Sequence, residues 1–447
     1  MPTSVSRFRY PNRVALLLFY RGSRGSAGQS FKGVPMKDSG NDRVFGAMLL
    51  AAGAIAGAYV YMGLKTPLPG QDQDVARGLT VERHEFTTAD GVTLRLKRYA
   101  NPQGNPVLFC HGFQGNGFEF DLPREGKNMA VYLARRGYDV WISSFRGCGP
   151  EPYNCDCLDW QHSIDDLAIH DAPALVDGIV GVTGKRPFWI GHSMGGMVLY
   201  MYLQGVRFGE NGLVVSDPGL VAERNQKLLG GTSIASPPAM WWPRMNPYQV
   251  VTDSGIGRGL IGLSVLWSRA RSHFAPRLRV GSGIDRTLGK KPRLIKALSR
   301  SPVGMVIYNR RNTDSETSTS LIRWAGDDVS AHMNVQLMDG VRNGNLRQYF
   351  PLNFRGDPYD YTLNMALVTA PMLFVTGDRD FANYVCIRKY GFDRVSSLEK
   401  EFVVFPEYGH TDLVMGKNVE DDVYPFIARW MEETEAGSHA RSGARSA

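Results

Sequence analysis

Residues 187–203 read PFWIGHSMGGMVLYMYL: a short apolar run, a glycine-containing turn and a longer apolar run. The turn Gly191-His192-Ser193-Met194-Gly195 fits the pattern G-x-S-x-G. A side chain at either glycine would clash in so tight a turn, and the turn lifts the Ser193 hydroxyl away from the backbone towards solvent. The stretch therefore predicts a strand over Pro187–Ile190, a helix over Met194–Leu203 and a nucleophilic Ser193 between them. The alternative is a surface turn that contains a serine by chance.

On both sides of this stretch, short apolar runs alternate with segments of helical periodicity. This alternation is typical of an α/β fold with a doubly wound, mostly parallel sheet, and an Asp90-Gly91 turn adds an antiparallel hairpin at its start. The predicted strands are 79–86, 92–99, 106–110, 139–142, 228–235, 371–376 and 401–405, and the other predicted helices are 126–136, 163–180 and 419–432. The alternation stops between residues 237 and 367. That long insertion predicts a helical cap on a core formed by residues 79–236 and 368–432.

Both ends of the chain are predicted to lie outside this core. The uncharged apolar run Val44–Leu64 is long enough to cross a bilayer as a helix. Because basic residues are concentrated before it, the positive-inside rule places the rest of the chain on the non-cytoplasmic side. We predict a transmembrane signal anchor here; a cleaved signal peptide, which would give a secreted protein, and a buried core helix are the alternatives. Residues 1–43 and 433–447 are predicted to be disordered, and residues 65–78 to form a linker.

Charge and cysteine content limit the expected partners. The chain has a net charge of +8, and its basic residues cluster in 1–43 and 269–300. Without a nucleic-acid-binding motif, these clusters favour a membrane surface over nucleic acid, with a merely solvated basic face as the alternative. The five cysteines lack the paired spacing of a zinc site, so no metal is predicted. Cys148 could form a disulfide with Cys155 or Cys157 in an oxidising compartment, or these thiols could be free.

A serine hydroxyl needs a base to remove its proton, and a histidine late in the chain is expected to serve. His410 directly follows the predicted strand 401–405. The other histidines lie in the hairpin, the cap, the tail, or on or beside the helix that precedes the Ser193 strand. His192 is next to Ser193, but its side chain is expected to point away. We therefore predict His410 as the base.

The third group must be a carboxylate that orients the imidazole and stabilises its charged form. The loop after the predicted strand 371–376 offers Asp378 and Asp380. We predict Asp380, with Asp378 as the alternative. The resulting chain order of serine, aspartate and histidine is one that hydrolases with a G-x-S-x-G turn use.

A carbonyl group attacked by the serine develops a negative oxygen, which needs two hydrogen-bond donors. The backbone N–H of Met194 is expected to be one, because it lies at the positive end of a helix. The turn after the strand 106–110 should supply the other, and we predict the N–H of Phe113, with Gln114 as the alternative. His111 in the same turn is expected to form structural hydrogen bonds.

Several of these stretches resemble the acid lipase family, which comprises lysosomal acid and gastric lipases and their bacterial relatives. Residues 137–141 (GYDVW) and the following Arg146-Gly147 are similar to that family's GYDVWLGNSRG, and residues 163–173 (SIDDLAIHDAP) to its SFDEMAKYDLP. Residues 377–382 and 409–416 resemble its GGNDWLA and NHLDFIWG. The likeness supports Asp380 and His410. It departs at Met194, where the family usually has glutamine, and across most of the cap.

The resemblance implies an α/β-hydrolase fold and a lipase or esterase that needs no cofactor. Its expected substrates are carboxylic esters, chiefly those of lipids, cleaved through an acyl-enzyme. An acyltransferase on the same fold and a non-catalytic protein that keeps only the fold are the alternatives. The sequence leaves protein partners open.

Overall fold

The structure is a computed structural model. It describes residues 20–21, 75–240, 276–278, 308–309, 311–314, 317, 320–351, 354, 356–380 and 382–446. The predicted anchor 44–64 and most of the predicted cap lie outside these residues, as does nearly all of 1–43. Within the described part of the chain, no helix has the length and hydrophobicity needed to cross a membrane.

A nine-stranded sheet forms the centre of the molecule, and two small two-stranded sheets accompany it. The strand bounds are β1 Tyr20–Arg21, β2 Val81–Thr87, β3 Thr93–Tyr99, β4 Pro106–Cys110, β5 Asp139–Ser143, β6 Phe188–His192, β7 Val206–Phe208, β8 Val214–Ser216, β9 Gly230–Ile234, β10 Arg277–Leu278, β11 Val329–Ser330, β12 Met372–Gly377 and β13 Lys400–Phe405. The central sheet has the order β1-β13-β12-β9-β6-β4-β5-β3-β2, while β7 pairs with β8 and β10 with β11. In the central sheet the six strands from β13 to β5 are parallel, β3 and β2 continue it as an antiparallel hairpin, and β1 pairs antiparallel with β13 at the other edge.

Helices follow most of the parallel strands. Their bounds are α1 Met129–Arg135, α2 Ile164–Asp166, α3 Ala172–Thr183, α4 Met194–Leu203, α5 Pro218–Lys227, α6 Ala331–Asn343, α7 Tyr384–Ile387, α8 Asp412–Met415 and α9 Val419–Ser446. The described residues also form three π-helical turns and three 3-10 turns. The π-helical turns are Leu167–Asp171, Leu321–Ala325 and Arg388–Phe392, and the 3-10 turns are Gly117–Glu119, Glu210–Gly212 and Met365–Leu367. A capping box opens α2, where the side chains of Ser163 and Asp166 bond reciprocally to backbone N–H groups.

Apolar layers cover both faces of the sheet, because neighbouring residues of a strand point to opposite sides. In β4, Leu108 belongs to one hydrophobic cluster and Phe109 to the other; in β6, Trp189 and Ile190 divide in the same way. All of these side chains are fully buried. Strands buried on both faces read as continuous apolar runs, which is why the parallel strands could be found in the sequence. The predicted doubly wound α/β sheet is confirmed.

The helix α4 is buried on every side, from Met194 to Leu203. A helix that is apolar all around belongs inside a protein rather than on its surface. Its burial fixes the N-terminal end of α4, and with it the turn that carries Ser193, firmly against the sheet.

The expectation of a disordered tail over 433–447 is wrong for the backbone up to Ser446, because α9 continues to that residue. Glutamate, alanine and arginine, which favour helices, recur in this stretch. The buried hydroxyl of Thr434 also donates a hydrogen bond to the Trp430 carbonyl, one turn earlier. None of the five cysteines, all of which lie within the described residues, forms a disulfide.

Asp165 connects the core to residues of the predicted cap. Its buried carboxylate accepts hydrogen bonds from the Gln336 amide (2.8 Å), the Tyr349 backbone N–H (2.7 Å) and the Tyr361 hydroxyl (2.6 Å). Burial raises the pKa of Asp165 to about 7, although these three donors oppose the rise. An ionised carboxylate satisfies all of the donors at once, because it has no proton to place against them.

We expect Asp165→Asn to lower the free energy of unfolding by roughly 2–3 kcal/mol at pH 8, because the new NH2 group would leave at least one buried donor without an acceptor. Urea unfolding followed by tryptophan fluorescence measures this change. The matched control is Asp177→Asn, a similar exchange on the same helical segment at an exposed residue that pairs with Lys227. Equal stabilities of the two variants would contradict the assigned role of Asp165.

Candidate active site

Ser193 occupies a strained turn between β6 and α4. Its backbone lies at φ 50° and ψ −113°, a conformation that residues other than glycine rarely adopt. The Ser193 N–H donates to the Ile234 carbonyl at 2.8 Å, which ties the turn to β9. The flanking glycines leave no space for side chains: a Cβ at Gly191 would collide with the Gly195 backbone, and one at Gly195 with the Cys110 carbonyl. The predicted need for glycine at both positions therefore has a direct steric cause.

The three predicted side chains meet at the carboxyl ends of the parallel strands. The Ser193 Oγ lies 2.9 Å from the His410 Nε2, and the His410 Nδ1 lies 2.9 Å from the Asp380 Oδ1. His410 and Asp380 are both buried, at 6% and 7% exposure, whereas Ser193 is partly accessible. An accessible hydroxyl on a sheltered imidazole–carboxylate pair is the arrangement that nucleophilic catalysis by serine needs.

The loop after β12 distinguishes its two aspartates. The Asp380 Oδ1 also accepts the Ala382 N–H at 2.8 Å, so the carboxylate that faces His410 is held from its own loop. Asp378 is exposed and accepts the Glu407 N–H at 2.7 Å. Of these two aspartates, Asp380 is the one whose carboxylate forms a hydrogen bond with the His410 Nδ1.

The loops that carry Asp380 and His410 are packed directly against each other. The Arg379 N–H donates to the Tyr408 carbonyl at 2.9 Å. A Cβ at Gly377, the last residue of β12, would collide with that same carbonyl. The short distance between imidazole and carboxylate thus follows from the packing of two neighbouring strand ends.

Asp412 fixes the His410 loop from the other side. Its carboxylate accepts the Gly409 N–H at 2.9 Å and the Asn312 amide at 2.9 Å. Burial raises the pKa of Asp412, and these donors oppose that rise. Residue 312 belongs to the predicted cap, so part of that insertion helps to hold the loop that carries His410.

The two predicted oxyanion donors belong to segments that adjoin Ser193. Met194, the first residue of α4, is buried. The turn after β4 also comes close to Ser193: an ideal Cβ on Gly112 would stand 3.1 Å from the Ser193 Cβ. Phe113 follows Gly112 directly and packs against the hydrophobic cluster that contains Met194. The alternative residue Gln114 has a φ of 62°, and its carbonyl accepts the Asp327 N–H at 2.7 Å.

His111 has a structural role, as expected. The Phe145 N–H donates to the His111 Nε2 at 3.0 Å, so this nitrogen carries no proton. The Nδ1 must then hold the proton and donate it to the Gly112 carbonyl at 2.8 Å. Burial lowers the pKa of His111, which agrees with a neutral ring.

Two residues beside Ser193 were not identified from the sequence. The Glu119 carboxylate accepts the Gly112 N–H at 2.8 Å and forms an ion pair with the His192 Nδ1. His192 was expected to point away from Ser193; its ring is buried, with its centre 4.7 Å from that of His410. Glu119 lies in a short 3-10 turn, where no periodicity or motif singles it out. Among the described residues, no cluster of three or more histidine, cysteine or acidic side chains could hold a metal ion.

Comparison with known proteins identifies related sequences. Residues 107–421 match the sequence model of the Alpha/beta hydrolase family. The chain is 23% identical over 396 residues to triacylglycerol lipase 2 of Arabidopsis thaliana, covering 79% of this chain and 85% of that protein. It is 31% identical over 159 residues to gastric triacylglycerol lipase of Bos taurus, covering 31% of this chain and 40% of that protein. A solved structure of a thermophilic esterase from Thermogutta terrifontis matches with a TM-score of 0.49 and 16% identity, covering 79% of this chain and 99% of that one.

The strained backbone at Ser193 leads to a stability prediction. We expect Ser193→Gly to be more stable than Ser193→Ala by about 1–2 kcal/mol, because glycine relieves the backbone strain while alanine keeps it. Both variants lose the hydroxyl, so the loss of its hydrogen bond cancels in the comparison. Thermal unfolding followed by circular dichroism measures the difference. A glycine variant that is no more stable than the alanine variant would contradict the strained turn.

Proposed function

Because the chain belongs to the Alpha/beta hydrolase family, we propose that it is a carboxylic ester hydrolase in which Ser193 is the nucleophile, His410 the general base and Asp380 the residue that orients His410. The chain resembles the acid lipases of this family, as the likeness to gastric triacylglycerol lipase indicates. Lipid esters are the proposed substrates, since the similar proteins are named as triacylglycerol lipases.

The observation that carries this proposal is the continuous hydrogen-bonded chain from Ser193 through His410 to Asp380. A carboxylate at the Nδ1 of His410 holds a proton on that nitrogen. The Nε2 is then free of its proton and can accept the one on the Ser193 hydroxyl. The same carboxylate stabilises the imidazolium that forms when the serine attacks.

The proposed reaction has two halves. In the first, Ser193 attacks the ester carbonyl while His410 takes its proton, and His410 then protonates the leaving alcohol. The N–H groups of Met194 and Phe113 stabilise the negative oxygen of the tetrahedral intermediate. In the second half, His410 activates a water molecule that releases the acid from the Ser193 acyl-enzyme.

The position of Met194 favours it as one oxyanion donor. Its N–H lies in the first turn of α4, where no carbonyl four residues earlier belongs to the helix and where the helix dipole favours negative charge. Phe113 is proposed as the second donor because it follows Gly112, which lies against the Ser193 side chain. Losing one such donor costs about 3–4 kcal/mol of transition-state stabilisation in enzymes of this kind.

Action on lipid at a membrane is the part of the proposal that rests on the sequence. The apolar stretch 260–267 and the basic stretch 269–300 of the predicted cap lie outside the described residues, apart from 276–278. The anchor 44–64, which would place the enzyme on the non-cytoplasmic side, lies outside them as well. Basic residues near an anionic surface are worth around 1 kcal/mol each, so this cap would favour substrate held in a membrane.

Active-site labelling tests the role of Ser193, and a matched pair of aspartate variants tests that of Asp380. We expect a fluorophosphonate probe to label the wild-type protein but not Ser193→Ala. We expect Asp380→Asn to lower kcat on p-nitrophenyl butyrate by about 10,000-fold, because the imidazole then loses its orientation and its partner charge. Asp378→Asn, the same exchange two residues earlier in the same loop, should keep the wild-type rate.

Three results would contradict these assignments. No labelling of folded wild-type protein would favour a non-catalytic protein with the same fold. An inactive Asp378→Asn together with an active Asp380→Asn would reverse the choice of carboxylate. Transfer of the acyl group to an alcohol, without release of free acid, would favour an acyltransferase.

A panel of esters tests the proposed substrate class. We expect turnover of p-nitrophenyl esters to increase from acetate to longer chains, and triacylglycerol emulsions to be hydrolysed, because a lipase uses the burial of the acyl chain to bind its substrate. Free acid released by each ester is measured by titration at constant pH. The Ser193→Ala variant provides the background rate. Turnover restricted to acetate would contradict the lipid assignment while leaving the esterase assignment intact.

A further inference from the structure

A second buried pair of ionisable side chains, Glu119 and His192, lies directly beside Ser193. Glu119 is 4% exposed and His192 is 2% exposed. The reaction proposed above uses neither residue. Buried charges are costly unless they are paired and hydrogen-bonded, so a pair at this position calls for a physical explanation.

The surroundings of the His192 ring determine its protonation. Its Nδ1 faces the Glu119 carboxylate, and its Nε2 lies 3.3 Å from the His410 carbonyl oxygen. Glu119 also receives the Gly112 N–H. An ionised carboxylate and a carbonyl have no proton to give, so with Glu119 ionised both partners of the His192 ring are acceptors. Only a ring with protons on both nitrogens then satisfies the two contacts, and His192 is an imidazolium that neutralises Glu119.

The remaining charged and titratable neighbours are compatible with this state. Burial opposes the charge on His192, but the Glu119 carboxylate and, more weakly, Asp380 raise its pKa overall. Burial likewise opposes the charge on Glu119, and His192 and the Gly112 N–H lower its pKa overall. The neighbouring His111 is neutral, because its Nε2 accepts a backbone N–H.

The contacts of the pair reach three separate parts of the site. Glu119 holds the N–H of Gly112, in the turn that is proposed to supply the second oxyanion donor. His192 is the residue before Ser193 and ends β6. Its Nε2 binds the carbonyl of His410, so the backbone of the proposed base is tied to the nucleophile strand.

We infer that Glu119 and His192 are positioning residues, whose hydrogen bonds keep the oxyanion turn and the His410 backbone in register with Ser193. This inference rests on the proposed function. Displacing a catalytic group by about 1 Å can reduce the rate of an enzyme about 100-fold, so a small shift of the Gly112 turn is enough to impair catalysis. Such a shift affects the transition state more than the binding of a small ester.

Substitutions of Glu119 distinguish hydrogen bonding from mere filling of space. Glu119→Ala removes both contacts, and we expect kcat on p-nitrophenyl acetate to fall about 100-fold with little change in KM. Glu119→Gln can keep the three hydrogen bonds: its oxygen accepts the Gly112 N–H, its NH2 donates to a neutral His192, and the Nε2–H still reaches His410. We therefore expect kcat of Glu119→Gln to stay close to that of the wild type.

A buried ion pair far from the site provides the matched control. Asp139 is 1% exposed and pairs with Arg98 at 2.8 Å. It is the first residue of β5 and therefore lies at the amino-terminal ends of the parallel strands, opposite the site at their carboxyl ends. Asp139→Ala should lower stability, because it removes the buried carboxylate of the pair and leaves Arg98 with the partly exposed Glu82 as its acidic partner. It should not change kcat of the folded protein. Melting curves of all variants show which fraction is folded at the assay temperature.

The ionised state has a readout that does not depend on activity. In the NMR spectrum of protein with nitrogen-15-labelled histidine, we expect both His192 ring nitrogens to carry protons at pH 7 in the wild type and in Ser193→Ala. In Glu119→Gln we expect only one of them to do so. His192→Gln identifies the resonances by their disappearance.

Two results would overturn the inference. One is a folded Glu119→Ala whose kcat falls no more than that of Asp139→Ala. The other is a wild-type His192 with a single ring proton at pH 7. If the wild-type protein shows no turnover that depends on Ser193, the proposed function fails instead, and the NMR result still decides the state of the pair.

Discussion

The rest of the structure depends on the close approach of three backbone segments at the end of β6. Strand β6, the first turn of α4 and the end of β4 are packed so tightly that neither Gly191 nor Gly195 has room for a Cβ. This packing forces Ser193 into a backbone conformation that is unfavourable for a side chain. The strain persists because the buried helix α4 on one side and the hydrogen bond to Ile234 on the other hold the turn in place.

From this fixed point, the site is assembled by strand ends that are distant in sequence and adjacent in the sheet. β12 and β13 deliver Asp380 and His410, and the contact between Gly377 and Tyr408 sets the spacing of their loops. Asp412 ties the histidine loop to residue 312 of the insertion. Glu119 and His192 join the turn after β4 to the same loop. Each group of the site is thus held by at least one contact from a neighbouring loop, which keeps it ordered before any substrate binds.

The sequence predicted the fold where burial leaves a clear pattern. The strand Pro106–Cys110 and the helix Met194–Leu203 were predicted with their correct bounds, because both are apolar throughout and end at glycine-rich or polar residues. Asp380 and His410 could be proposed because a parallel sheet brings the carboxyl ends of its strands together. The α/β-hydrolase fold and the likeness to acid lipases are confirmed by the family match and the related lipases.

The sequence did not predict features that arise only from contacts between distant loops. Glu119 lies in a 3-10 turn, and its importance depends on where Gly112 and His192 end up in space. His192 was set aside because a residue next to the nucleophile on a strand is expected to face the other way. The last part of α9, residues 433–446, was not predicted as helix, because small and polar residues there are mixed with the residues that favour a helix.

The most direct test of the central claim is to locate the covalent intermediate. Wild-type protein would be quenched in acid during turnover of a slowly deacylating p-nitrophenyl ester, digested and mapped by mass spectrometry. The account predicts one added acyl group, on the peptide that contains Ser193, and none in the Ser193→Ala variant. An acyl group on another residue, or rapid turnover by Ser193→Ala, would contradict it.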